Sequence, residues 1–80
     1  MIYNSSNFCV VEFSSVGSRP GGGFEIMDKA ARREVFIDGS LAEHFRKDVV
    51  ELIATDPSME EVDNFLSRFS PLMQQPVMLH

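Results

Sequence analysis

Tryptophan is absent from this 80-residue chain, cysteine occurs once and histidine twice. A single cysteine rules out an intramolecular disulfide and fits a reducing cytoplasm, where the protein is expected to reside. Cys9, His44 and His80 are the only thiol or imidazole groups, and none has the close Cys/Cys or His/His spacing of a structural zinc site. No metal and no other cofactor is therefore expected. Basic charge is also scarce, with 7 Lys and Arg against 12 Asp and Glu for a net charge of −5. Phosphate contacts need Lys and Arg to displace counterions, so the balance argues against a nucleic-acid partner and against an anionic lipid surface. No stretch approaches the roughly 20 apolar residues of a membrane span. The start Met1-Ile2-Tyr3-Asn4-Ser5 lacks the basic and apolar regions of a secretory signal.

What is present is enough for one small folded domain over residues 1–80. The composition is 44% hydrophobic and 24% charged, with seven Phe and five Met. A chain of this length buries only about 60–65% of its unfolded surface, so its margin of stability is small. Phe8-Cys9-Val10-Val11-Glu12-Phe13 reads as a strand with apolar residues on both sides. Ser14 to Gly23 reads as a flexible Gly-rich loop. Phe24–Asp28 and Arg33–Ile37 read as a hairpin joined by Lys29–Arg32.

Period-two patterning gives way to helical patterning at Val35–Glu43. Asp38-Gly39 is a turn signal, and Ser40 with Glu43 has the spacing of a capping box. The first helix is predicted over Leu41–Ala54, with Leu41, Phe45, Val49, Leu52 and Ile53 on one stripe. Thr55-Asp56-Pro57 ends it. Ser58 and Glu61 repeat the start signal for a second helix whose stripe is Met59, Val62, Phe65, Leu66 and Phe69. Glu60, Glu61 and Asp63 sit where the helix dipole favours carboxylates. Pro71 ends or bends this helix, and an apolar tail follows over residues 72–80.

The predicted fold is α+β: a three-stranded antiparallel sheet followed by two helices packed on one face, β-β-β-α-α. Phe24, Ile26, Val35 and Ile37 can face the helices, which leaves Met27 and Phe36 on the opposite side. Two helices cannot cover both faces of a sheet. Either the tail or a second copy of the chain must shelter the rear, and a closed homodimer is the commonest assembly. The residues expected at such a contact are Met27, Phe36, Val77, Met78 and Leu79.

Candidate chemistry is thin. Gly21-Gly22-Gly23 is not followed by the Lys-Ser/Thr of a phosphate loop and leads into a strand. His44 reads as a boundary or solvent-facing residue, and Cys9, in a strand, as a small buried apolar group. Phe45, Phe65, Phe69 and the Met residues at helical spacing read as core ahead of a ligand pocket. Lys29, Arg32 and Arg33 form the one basic group in the hairpin connection, with Arg46 and Lys47 as possible neighbours. An anion-binding patch there competes with a solvated turn balanced by Asp28 and Glu34. No nucleophile–base pair or paired-carboxylate constellation is recognisable, so a non-enzyme is expected.

Taken together, Tyr3-Asn4-Ser5, Gly22–Lys29, Phe36–Gly39 with Ala42 and Phe45, and Leu72-Met73-Gln74-Gln75-Pro76-Val77-Met78-Leu79-His80 carry a resemblance over nearly the whole chain. The sequence resembles a family of short beta-proteobacterial proteins classed as a domain of unknown function. The resemblance implies a stand-alone protein and brings no activity and no catalytic residue. The functional expectation is a self-associating protein–protein interaction module with an unidentified protein partner. The alternative is a sensor of small anionic ligands using Lys29, Arg32 and Arg33.

Overall fold

The computed structural model describes residues 2–14, 22–73 and the backbone of 75–76. It is an α+β fold built on an antiparallel meander. The strands are β1 (Tyr3–Asn4), β2 (Phe8–Phe13), β3 (Gly23–Asp28), β4 (Arg33–Asp38) and β5 (Gln75–Pro76), and sheet order equals chain order. Helices α1 (Gly39–Ile53) and α2 (Met59–Leu66) follow β4, and a 3-10 helix over Ser67–Leu72 leads to β5. The three long strands and two helices fall where the sequence places them, but α2 stops at Leu66. The stretch with Phe69 and Pro71, expected to continue and end that helix, is 3-10 instead. The three-stranded sheet requires correction, because a two-residue strand extends each edge. These strands are too short and too polar to show period-two patterning, and their partners β2 and β4 define them. Gly23 already belongs to β3, opposite Phe13 and Asp38, so the described part of the preceding loop ends at Gly22.

Register divides the sheet into two faces. Val10, Ile26 and Val35 stand side by side, as do Phe24 and Ile37. With Phe8 they form the floor on which Ala42 and Phe45 of α1, Leu66 of α2 and Met73 are buried. Phe45 is the hub, with ring centroids 4.9 Å from Phe24, 5.9 Å from Phe65 and 5.2 Å from Phe69. At the margin, the Arg46 guanidinium lies 4.9 Å from the Phe24 centroid and pairs with Glu12 at 2.7 Å.

The helices begin differently. Ser58 caps α2, its hydroxyl accepting from the Glu61 N–H at 3.1 Å. The expected capping box at Ser40 does not form. Gly39 takes φ +59°, and α1 starts there, directly after extended Asp38. Ser40 is thus inside the first turn and not at its flank. Helix α1 ends where Asp56 adopts φ +55° and its N–H donates to the Ile53 carbonyl at 3.0 Å. Aspartate is one of the few residues that tolerates this left-handed geometry.

Candidate functional site

Beyond Phe45, the apolar side of helix α1 is only partly covered. Val49 and Leu52 are only half-buried, while Val50 and Ile53 are each 64% exposed. Helix α2 does not close against them. Between the two helices lies an open cavity of about 110 Å3. Its floor is Val10, Phe45 and Leu66; its walls are Val49, Leu52 and Ile53 of α1 and Val62 and Phe65 of α2. Ile2 and Tyr3 close one end. Apart from the Tyr3 hydroxyl, every lining side chain is a hydrocarbon. Exposed Met59 borders that end, its carbonyl 3.3 Å from the Tyr3 hydroxyl.

Asp63 fixes this end wall. The Tyr3 hydroxyl and the Ser5 hydroxyl each donate to Asp63 Oδ1 at 2.9 Å, and Asn7 Nδ2 donates to Oδ2 at 3.2 Å. Ser5 Oγ in turn accepts the N–H groups of Asn7 (3.1 Å) and Phe8 (3.0 Å). One carboxylate therefore ties the β1–β2 turn to α2. Partial burial pushes the Asp63 carboxyl upward, but the hydrogen bonds from Asn7, Tyr3 and Ser5 outweigh it and hold the group below its usual value. Tyr3 is raised by burial first and by its bond to Asp63 second.

The second apolar region is the rear of the sheet. Alternation places Cys9, Val11 and Phe13 there with Met27 and Phe36. The Phe13 and Phe36 rings meet edge to face at 5.8 Å. They meet over Gly23, where a Cβ would lie 2.7 Å from Phe36 Cζ and 2.4 Å from the Ile37 carbonyl oxygen. Phe13 is 45% exposed, whereas Met27 and Phe36 are half-buried. Cys9 and Glu34 are buried in the next cross-strand row, and Glu34 Oε2 has no hydrogen-bond partner.

Of the residues singled out in the sequence, Met27 and Phe36 thus share the rear face, while Val77, Met78 and Leu79 lie outside the described residues. Lys29, Arg32 and Arg33 fall together at the β3–β4 turn. The Lys29 ammonium is already engaged, donating to Asn4 Oδ1 and, at 2.7 Å, to the Ser5 carbonyl. Arg32 is exposed at φ +56°. Arg46 does not join them, since its partner Glu12 stands opposite Phe24 near the other end of the sheet. His44 is exposed on α1, and Cys9 is a buried free thiol. Among the described residues no group of three or more His, Cys, Asp or Glu can hold a metal ion. No helix among them is long and apolar enough to cross a membrane.

The Tyr3–Ser5–Asn7–Asp63 cluster was not visible in the sequence, because its members are separated by more than fifty residues. The one available signal was an N-terminal run of side-chain donors whose acceptor lay elsewhere.

The chain belongs to the bacterial family described as protein of unknown function (DUF3567), whose model matches residues 1–80. It is similar to Protein BTH_I0359 of Burkholderia thailandensis, 55% identical over 83 aligned positions that span 100% of this chain and 98% of that protein. No solved structure matches it.

Proposed function

We propose that the protein acts by binding another protein and performs no catalysis of its own, working as a small cytoplasmic docking module. The observation that carries this reading is the open apolar cavity between α1 and α2, with exposed Ile2 and Ile53 in its lining and exposed Val50 and Met59 on the same two helices next to lining residues. Four large apolar side chains left in water beside an unfilled apolar cavity mark a contact surface. The Asp63 hydrogen bonds to Tyr3, Ser5 and Asn7 tether the end wall to α2 independently of anything filling the cavity.

A photo-crosslinking residue placed at Val50 in Burkholderia cells is expected to give a discrete adduct with a partner. The same residue at exposed Lys47 is the control. Equal labelling at the two positions, or none at either, would overturn the reading.

A second reading concerns self-association. The rear-face residues Val11, Phe13, Met27 and Phe36, spread over three cross-strand rows with Glu25 between Val11 and Phe36, support a homodimer that stacks two sheets through this surface. Sedimentation velocity at micromolar concentration is expected to give twice the chain mass, reverting to a single chain in Met27→Glu. A single chain for the unaltered protein removes this second reading and leaves the first intact.

A further inference from the structure

The walls of the α1–α2 cavity carry a strongly one-sided charge. From residue 48 to residue 67 the chain holds Asp48, Glu51, Asp56, Glu60, Glu61 and Asp63, and neither Lys nor Arg. Among the described residues, the one cation seated on a wall residue is Arg68, 5.7 Å from the centroid of the Phe65 ring, so acid still outnumbers base around the cavity. This stretch supplies both helical walls. Asp63 is occupied with the N-terminal turn, but the other five carboxylates are exposed. Among the described residues, none of the five is matched by a cation within ion-pair distance. Asp48 lies one helical turn before Leu52, and Glu61 one turn before Phe65, so acid borders the apolar lining on both helices.

The cavity's size limits what can enter. At about 110 Å3 it falls well below the roughly 300 Å3 and more of ordinary small-molecule sites. An engineered cavity of about 150 Å3 takes one benzene, so this one suits a single large side chain. The edge of β2 is closed at the cavity: Tyr3 pairs with Val10, and the Ile2 N–H donates to the Val10 carbonyl at 2.9 Å. An incoming strand therefore cannot pair with β2 here and would meet only the two-residue edge strand β1. A second copy of the chain would bring acidic walls against acidic walls, which like-charge repulsion opposes.

We infer that the occupant is a cationic amphipathic helix of another protein, which seats one Leu- or Phe-sized anchor between α1 and α2 and lays Lys or Arg along the carboxylate rims. This rests on the docking reading above and names the partner's chemistry. Helix-in-groove recognition supplies the anchor, and the rims supply direction and selectivity.

The test uses the full isotope-labelled chain and three short synthetic helical peptides. The first has apolar anchors at helical spacing with Lys elsewhere, the second replaces Lys by Glu, and the third keeps Lys but replaces the anchors by Ser. The first is expected to shift the amides of Val49–Ile53 and Val62–Phe65. Its affinity should fall on the order of tenfold from low salt to a few hundred millimolar salt. Reversing the two exposed charges that border the lining, Asp48→Lys with Glu61→Lys, should weaken it by about fivefold or more without unfolding the chain.

If the Glu peptide shifts the same amides as tightly, the charge inference fails while the docking reading stands. If the anchorless Lys peptide binds as well as the first, attraction is charge alone and both fail. If no peptide shifts these amides, the inference is overturned, and the docking reading is then judged by the Val50 crosslink.

Discussion

The two halves of α1 carry the same kind of apolar stripe and meet different fates. In the first half, Ala42 and Phe45 are 6% and 1% exposed against β3, β4 and the aromatic cluster, although Leu41, expected on the same stripe, is 44% exposed at the helix start. In the second half, Val49 and Leu52 are half-buried and Ile53 is 64% exposed. Local propensity does not separate them. The second half faces Tyr3 and Val10 of the sheet across a gap, and α2 does not fill it, which leaves a cavity. Amphipathic periodicity thus states which side of a helix is apolar; the supporting layer decides whether that side is core or contact surface.

The largest expected effect tests the closed half. Phe45→Ala removes the ring that touches Phe24, Phe65 and Phe69, at a cost of about 3–5 kcal/mol. In a domain this small that consumes most of the stability, and urea unfolding is expected to show a collapsed midpoint. Gly23→Ala probes the opposite side of the same sheet. With 2.4 Å to the Ile37 carbonyl oxygen and 2.7 Å to Phe36 Cζ, the methyl must displace backbone, costing about 1–3 kcal/mol.

Next comes the tether of the open half. Asp63→Ala leaves the Tyr3, Ser5 and Asn7 donors without their acceptor and should cost roughly 1 kcal/mol, the net worth of a partly exposed hydrogen-bonded group. Its pH dependence has a definite sign. Because the folded-state pKa of Asp63 is lowered, its contribution is complete above the ordinary carboxylate value of about 4. It is lost as pH falls through the depressed value, so wild type and Asp63→Ala should converge on acidification. Tyr3 works in the other direction. Its pKa is raised, so stability should decline as pH climbs above about 10, and Tyr3→Phe should abolish that alkaline limb.

The helix starts sharpen the contrast. Ser58→Ala deletes a bonded cap and should cost about 1 kcal/mol, whereas Ser40→Ala deletes none and should stay within about 0.5 kcal/mol. The smallest expected effect belongs to the open half itself. Ile53→Ala should shift stability by less than about 0.5 kcal/mol, since the side chain is already mostly in water. A large loss there would show Ile53 to be core and would erase the distinction between the halves.

The sequence displayed the elements whose information is local. Phe8–Phe13 and the β3–β4 hairpin are dense in aromatic and β-branched residues, and the Ser58 cap is complete within four positions. The edge strands β1 and β5 were hidden because two residues of Tyr-Asn or Gln-Pro become strand only beside a partner. Ser40 misled because the left-handed Gly39 lets α1 begin two residues earlier than Leu41. The cavity was hidden because Leu52, Ile53 and Met59 fall on the very stripes that predict core, and only how the helices pack in three dimensions tells them apart. Met27 and Phe36 were placed together correctly because period-two alternation and hairpin register are both readable from neighbouring residues.

The meander makes each of the four leading strands the neighbour of the one before it, whereas two connections span the chain: Tyr3, Ser5 and Asn7 to Asp63, and β4 to β5. Nascent polypeptide can therefore zip its sheet as it emerges, with little entropy spent on closing long loops. The distant clasps are left for the downhill side of the barrier. Severing the Asp63 clasp should accelerate unfolding while refolding keeps its pace, an asymmetry that stopped-flow chevrons would register.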